Sequence, residues 1–207
     1  MTRLKDAIDH ISNAIISQKD YLTHLDREIG DGDHGINMAR GFEAVLEKMD
    51  RLADTSKPGP VLKAVGSTLM NTIGGAAGPL YATGFLRAAD VCDEDTAFNM
   101  KSVEKLLAAA IAGIQERGKA VRGEKTMLDV LIPVHEVFVE GIKQDKTLFQ
   151  CLGEAAKAAR EGVEYTKTIV ATKGRASYVG ERSIGHEDPG AMSSAIMVRT
   201  LYMFVKR

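Results

Sequence analysis

Apolar residues recur at helical spacing along almost the entire chain, and this periodicity restricts the fold more than any other feature of the sequence. The first stripe predicts an amphipathic helix over residues 4–22 and consists of Leu4, Ile8, Ile11, Ile15 and Leu22. A second stripe runs from Met38 to Leu52, and a third helix is predicted to begin at Pro60, because the fixed φ of proline suits a first helical turn. Five more helices are predicted over residues 80–90, 102–117, 126–142, 148–172 and 190–206.

Local signals support these boundaries. Ser102 and Thr147 are candidate N-caps, Gly118 is a candidate C-terminal stop, and Pro133 should kink or shift its helix by removing one intrahelical hydrogen bond. Aromatic residues make up only 5% of the chain and alternating β-branched runs are scarce, so no strand is predicted. The prediction is an all-α fold: a single domain over residues 1–207, built as an antiparallel bundle of eight helices.

Charge and composition exclude several classes of partner. The formal net charge is −1, with Lys and Arg spread along the chain, so neither nucleic acid nor a membrane surface is expected as a partner. No stretch approaches the roughly 18 apolar residues that span a bilayer, and a cytoplasmic location is expected. Cys92 and Cys151 stand singly in apolar helical patterns and are predicted to be buried thiols.

Four glycine-containing loops interrupt the helices. They are DREIGDGDHGIN at 26–37, GGAAGP at 74–79, RGKAVRGEKTM at 117–127 and KGRASYVGERSIGHEDPGA at 173–191. The last is longer than a helix connection requires. In an up-and-down bundle the connections after odd-numbered helices share one end, and these loops follow predicted helices one, three, five and seven. They are therefore expected to meet around one cavity.

The chemistry of the loops favours a magnesium nucleotide or another polyphosphate. Glycine-rich turns and helix N-termini present N–H groups to phosphate, while Asp26, Asp31 and Asp33 would repel it unless a hard divalent cation lay between them. An EF-hand fails on spacing, because Ile36 and Phe42 occupy its glycine and glutamate positions. No GxxxxGK[ST] motif is present.

Less specific interpretations stay open for the single residues. The aspartates can act as helix caps and turn formers, and His34 can cap a helix or bond a backbone group. Arg175 and Arg182 can be surface ion-pair partners, and the methionines of 192–203 are predicted to lie in the core.

The segments DREIGDGDHG, GGAAGPLY, GEKTMLD and GRASYVGERSIGHEDPGA, in this order, resemble the nucleotide-binding L subunit of bacterial dihydroxyacetone kinase of the phosphotransferase-system type. The resemblance extends over essentially the whole chain. It implies an antiparallel eight-helix barrel that holds the nucleotide, ADP or ATP, at one end with two Mg²⁺ ions.

The resemblance also implies roles for individual residues. The Mg²⁺ ligands would be Asp26, Asp31 and Asp33. Phosphate and ribose contacts would be made by His34, Gly35, Ile36, Asn37, Ala76, Ala77, Asp188, Pro189 and Gly190. The adenine pocket would include Gly118 and Met127, and Arg175 would lie near the transferred phosphate. Members of this family often carry Ser where this chain has Ala77, which would remove a hydroxyl contact worth about 0.5–1.5 kcal/mol.

The resemblance further implies two protein partners. Dihydroxyacetone would bind a separate K subunit, and an M subunit carrying phosphohistidine would convert bound ADP to ATP. Two other functions stay open: an ATP-exchanging kinase subunit for another small ketose, and a non-catalytic nucleotide sensor that binds a transcription regulator.

Overall fold

The computed structural model describes residues 3–53, 57–92 and 98–206, which contain helices and no strand. The α-helices are α1 Arg3–Ser17, α2 Lys19–Ile29, α3 His34–Asp50, α4 Pro58–Thr72, α5 Ala77–Asp90, α6 Met100–Gly118, α7 Leu128–Lys143, α8 Leu148–Thr166 and α9 Pro189–Val205. A 3₁₀ helix, Arg175–Ser183, lies in the long loop before α9. None of the described helices is long and apolar enough to cross a membrane.

The prediction of eight helices is confirmed when α1 and α2 are counted together, because only Gln18 separates them. The predicted end of this first helix near residue 22 is wrong, since α2 continues to Ile29. Thr23 and Asp26 lie on its buried face between Leu22 and Ile29, and these polar residues interrupt the apolar stripe. Asp26 therefore lies on a helix and not in a loop.

Several other predicted boundaries need correction. Helix α4 begins at Pro58 and not at Pro60. Helix α5 begins at Ala77, three residues before the predicted start at residue 80. The N-cap of α6 is Asn99, whose side chain accepts a hydrogen bond from the Ser102 backbone N–H at 3.1 Å, so Ser102 is the third helical residue of a capping box.

The remaining boundary predictions divide between correct and wrong. Thr147 is the N-cap of α8, as predicted. Helix α6 ends at Gly118, as predicted, and Lys119 follows it in the left-handed conformation. Helix α8 ends at Thr166 and not at 172, while α7 runs through Pro133.

The helices form a closed ring in which each packs against the next and α9 packs back against α1. Consecutive α3 to α9 are neighbours, and α1 lies beside α3. The interior is filled by fully buried side chains that include Phe42, Val45, Leu69, Leu128 and Phe138. Cys151 is buried, as predicted, whereas Cys92 is only partly buried. Burial raises the pKa of the Cys151 thiol, so it packs as an apolar group. The ring is an all-α barrel, as the sequence predicts.

Candidate functional site

The four glycine-containing loops meet at one end of the barrel around a cavity of about 610 Å³. All predicted site residues except Gly35 and Ile36 line this cavity. Gly35 is buried between α3 and α2, and Ile36 faces solvent on the first turn of α3. The expectation that loops after alternate helices share one end is therefore confirmed.

Asp26 organises the acidic part of the cavity. Its Oδ2 accepts hydrogen bonds from the backbone N–H groups of Asp33 at 2.8 Å and His34 at 3.0 Å, so an acid from α2 caps α3. Gly30 allows the chain to turn over this carboxylate, because a Cβ at Gly30 would lie 2.1 Å from Asp26 Oδ1. The capping interpretation of Asp26 is thus correct for one oxygen and leaves the other available to the cavity.

The three aspartates fit a hard divalent cation. One carboxylate oxygen from each of Asp26, Asp31 and Asp33 lies within 4.8 Å of the other two. Octahedral Mg²⁺ holds oxygen ligands at about 2.1 Å, so its ligand oxygens lie about 3 to 4 Å apart. Asp26 is buried and the other two acids are exposed, which allows them to close by the small distance required.

Arg175 lies at the mouth of the cavity as the first residue of the 3₁₀ helix. Its Nε is 3.1 Å from Asp31 Oδ2. Both side chains are largely exposed, at 69% and 40%, so the ion pair contributes about 1 kcal/mol or less. Arg175 is therefore an ion-pair partner, but of an acid inside the site. Arg182 does not line the cavity.

His34 belongs to a buried polar network behind the acids. Its Nε2 lies 3.1 Å from Ser193 Oγ, and Tyr81 Oη lies 2.7 Å from the same hydroxyl and donates to Gly190 O at 2.9 Å. Burial lowers the pKa of His34 to about 4, against the opposite effect of the Asp26 charge, so the imidazole is neutral at pH 7. The network ties the start of α3 to the start of α9.

Helices α3, α5, α7 and α9 all begin at the cavity, so four positive dipole ends border it. Asp26 caps α3, and Asp188 Oδ2 caps α9 by accepting from Ala191 N at 2.7 Å. No side chain caps α5, whose N-cap is Ala76. The start of α5 therefore borders the cavity without a side-chain cap, and its N–H groups are suited to phosphate oxygens.

Asp188 is buried, and its pKa is raised to about 7. Burial is the main cause, and the charges of Asp129 and Asp26 act in the same direction. The Ala191 N–H and the Lys125 ammonium oppose them. Lys125 is itself buried in the cavity wall.

Part of the wall is apolar. It is formed by Leu80, Ile114, Ala120, Met127 and Leu128, beside Gly118 at the end of α6. Gly118 and Met127, the two residues that the resemblance implies for the adenine pocket, both line the cavity. Apolar walls with a few polar groups are typical of sites for planar ring systems. The cavity thus combines an acidic region, an N–H-rich region and an apolar region.

Sequence reasoning missed several residues of this site. Tyr81, Ser193 and Ser194 form the network around Gly190, and Lys125, Thr126 and Lys173 line the cavity. Tyr81 and the two serines occur within apolar helices, where the sequence indicates only core packing. The one available signal was the polar GEKT segment between two glycine-containing turns.

Comparison with known proteins gives consistent results. Residues 28–203 match the DAK2 domain. The chain is 40% identical to the PEP-dependent dihydroxyacetone kinase ADP-binding subunit DhaL of Escherichia coli K12, with 99% of this chain and 97% of the relative covered. It is 41% identical to the PTS-dependent dihydroxyacetone kinase ADP-binding subunit DhaL of Lactococcus lactis, with 90% and 88% covered. Among solved structures, it is similar to the dihydroxyacetone kinase of C. freundii in complex with AMP-PNP and Mg²⁺, with a TM-score of 0.75 and 22% identity over 96% of this chain and 33% of that one.

Proposed function

Because this chain belongs to the DAK2 domain family, we propose that it is the ADP-binding subunit of a phosphotransferase-system-dependent dihydroxyacetone kinase. Near-full-length relatives at 40% and 41% identity are named as ADP-binding subunits of a PEP-dependent and a PTS-dependent dihydroxyacetone kinase, respectively. The observation that carries the proposal is the cavity itself, which is lined both by the carboxylates of Asp26, Asp31 and Asp33 and by the start of α5, which no side chain caps. Acids and phosphate-binding N–H groups are compatible in one site when a magnesium nucleotide joins them.

The proposed ligand is ADP or ATP with Mg²⁺. The three aspartates would hold two Mg²⁺ ions, which would neutralise the phosphates and align them for transfer. The N–H groups at Ala76 and Ala77 and at the starts of α3 and α9 would bind phosphate and ribose. Since Ala77 offers no hydroxyl, backbone groups carry this contact. Adenine would lie in the apolar region against Met127 and Gly118.

The proposed reaction is transfer of a phosphoryl group to dihydroxyacetone bound on a separate K subunit. An M subunit carrying phosphohistidine would then rephosphorylate the bound ADP. Phosphoryl transfer requires alignment and charge stabilisation more than acid–base chemistry from this chain. Arg175 stands at the mouth of the cavity, where a guanidinium can contact two oxygens of the group in transfer.

The test is calorimetric titration of Mg-ADP into wild-type protein and an Asp33→Ala variant. Asp33 is one of the three proposed Mg²⁺ ligands, so its loss should weaken Mg-ADP binding at least tenfold. Because its side chain is exposed and makes no helix cap, the variant should still fold. Asp50→Ala is the matched control, because Asp50 is an exposed acid at the opposite end of the same helix, α3. Equal affinities in all three proteins would contradict the metal assignment.

Thermal melting provides a second measurement on the same samples. A ligand that binds only the folded state stabilises it by RT ln(1 + [L]/Kd), about 2.7 kcal/mol at a hundredfold excess over Kd. Mg-ADP should therefore raise the melting temperature of wild type, and EDTA with dialysis should reverse the increase. An unchanged melting curve after confirmed loss of ligand would mean that other contacts hold the loops.

A further inference from the structure

Lys125 is a buried cation in the wall of the nucleotide cavity. Its side chain is 1% exposed and its backbone adopts φ +60°. The ammonium donates hydrogen bonds to two backbone carbonyls, Thr166 O and His186 O, the second at 2.6 Å. Both acceptors are remote in sequence, so this one side chain joins the loop before α7 to the end of α8 and to the long loop before α9.

Both acceptor residues are connected to Asp188, Thr166 by a hydrogen bond and His186 along the chain. Thr166 ends α8, and its Oγ1 accepts a hydrogen bond from the Asp188 backbone N–H at 3.0 Å. His186 lies two residues before Asp188 in the chain. Lys125 therefore holds the main chain at two places next to the start of α9, at the end of α8 and two residues before Asp188. Asp188, Pro189 and Gly190 are the residues that border the cavity there.

Lys125 also lies close in sequence to a contact between two walls of the site. Lys125 is two residues before Met127, in the apolar wall, and a Cβ on Gly190 would lie only 3.6 Å from Met127 N. The apolar wall and the start of α9 are thus in close contact. The ammonium links the segment that leads to Met127 with the segment that leads to Asp188, through its hydrogen bond to His186 O.

A role in stability alone explains this lysine poorly. Removing an ammonium from water costs several kcal/mol, and an apolar side chain of similar volume is often equally stable in such a place. Burial lowers the pKa of Lys125, while the charges of Asp188 and Asp129 favour the ammonium. Two other effects explain a lysine at this place. Its charge offsets that of Asp188, and its N–H groups hydrogen-bond the main chain of two segments that border the site.

We propose that Lys125 is a positioning residue of the nucleotide site, which holds Asp188–Gly190 against Met127 so that both can contact the same nucleotide. This inference rests on the proposed function. It differs from direct ligand binding, because the contacts that carry it are made to the protein main chain. Loss of Lys125 should therefore widen the site and weaken Mg-ADP binding more than it weakens the fold.

Lys5 provides a matched control. It is also a buried lysine, 4% exposed, and its Nζ donates to a backbone carbonyl, Leu52 O, at 2.9 Å. Leu52 follows the end of α3, whereas the site lies at the start of that helix, about 25 Å away at 1.5 Å per residue. Lys5→Met and Lys125→Met thus remove the same kind of group at opposite ends of the barrel.

The experiment measures Mg-ADP affinity by calorimetry and melting temperature without nucleotide for both variants and wild type, with the titrations well below each melting temperature. We expect Lys125→Met to bind Mg-ADP at least tenfold more weakly, about 1.4 kcal/mol, and Lys5→Met to stay within threefold of wild type. Lys125→Gln keeps an N–H donor for the carbonyls and should recover part of the affinity. If Lys125→Met does not fold, Lys125→Gln should still bind at least threefold more weakly than wild type.

Two outcomes would overturn the inference. One is wild-type affinity in Lys125→Met, or in Lys125→Gln where that variant replaces it. The other is an equal loss in Lys5→Met, which would make the effect a general consequence of lower stability. Failure of the proposed function is distinct, because the wild-type protein itself would then not bind Mg-ADP.

Discussion

Replacement of Gly35 by alanine tests how closely the site depends on the contact between α2 and α3. Gly35 is the second residue of α3, and a Cβ there would lie 2.0 Å from Lys19 O, 2.4 Å from Thr23 Oγ1 and 2.5 Å from Thr23 N. Ordinary carbon contacts are about 3.5–4.0 Å. Two of the three atoms belong to the main chain of α2, so no rotamer change removes the overlap. The helices must separate by roughly 1 Å or more.

The expected cost follows from this separation. Overpacking of this kind typically destabilises by about 1–3 kcal/mol, which lowers the melting temperature of a chain this size by roughly 2–4 °C per kcal/mol. The same movement lengthens the hydrogen bonds from Asp33 N and His34 N to Asp26 Oδ2, now 2.8 and 3.0 Å. The acids then lose their common geometry. Mg-ADP affinity should fall at least tenfold.

Calorimetry with Mg-ADP and thermal melting measure the two effects. Gly153→Ala is the matched control, because Gly153 lies within α8 and the three atoms nearest to its added Cβ all belong to the Tyr202 side chain, the nearest at 3.3 Å. That variant should melt within a few degrees of wild type and bind normally. If Gly35→Ala melts and binds like the control, α3 does not start as closely against α2 as the structure indicates, and the reasoning is refuted.

Two further predictions concern Arg175 and Asp188. Arg175→Ala should lower turnover tenfold or more in an assay reconstituted with the K and M subunits, which corresponds to about 1.4 kcal/mol of transition-state stabilisation. Its Mg-ADP affinity should stay within about threefold of wild type. Normal turnover would leave Arg175 as a surface ion-pair partner of Asp31. Burial raises the pKa of Asp188 to about 7, so the folded protein holds a proton that the unfolded chain releases above about pH 4. This group should make stability without nucleotide fall as pH rises from about 4 to 7, and Asp188→Asn should lack that decrease in urea unfolding at pH 5, 6 and 7. A pH-independent difference between the two proteins would contradict it.

The helical part of the fold was predictable because the apolar period is continuous. The prediction failed where buried residues are polar. Thr23 and Asp26 continue the buried face of α2, but the sequence pattern predicts the start of a loop there. Sequence alone does not distinguish a buried acid from an exposed one. The start of α6 was misassigned for a related reason, since both members of the Asn99–Ser102 capping box are good N-caps.

The location of the site was predictable from helix parity and loop chemistry. The arrangement behind it was not. The Lys125 side chain hydrogen-bonds carbonyls 41 and 61 residues away, and Tyr81 donates to Gly190 O across 109 residues. Such contacts have no local sequence period. They depend on how the closed ring brings α5, α8 and α9 together, which only the three-dimensional structure describes.

The concentration of acids in the cavity is tolerated because different groups offset different charges. Asp26 lies at the positive end of α3, where a carboxylate gains about 0.3–1 kcal/mol or more, and Asp31 lies beside the Arg175 guanidinium. Asp33 faces solvent, which screens it. The three carboxylates are therefore held within 4.8 Å of one another by the fold itself. Since Asp26 Oδ2 fixes the start of α3 while its other oxygen is left for the cavity, the acid that caps α3 is also a candidate metal ligand. In the proposed site, the same side chain would thus set the geometry for the cation and for the phosphate.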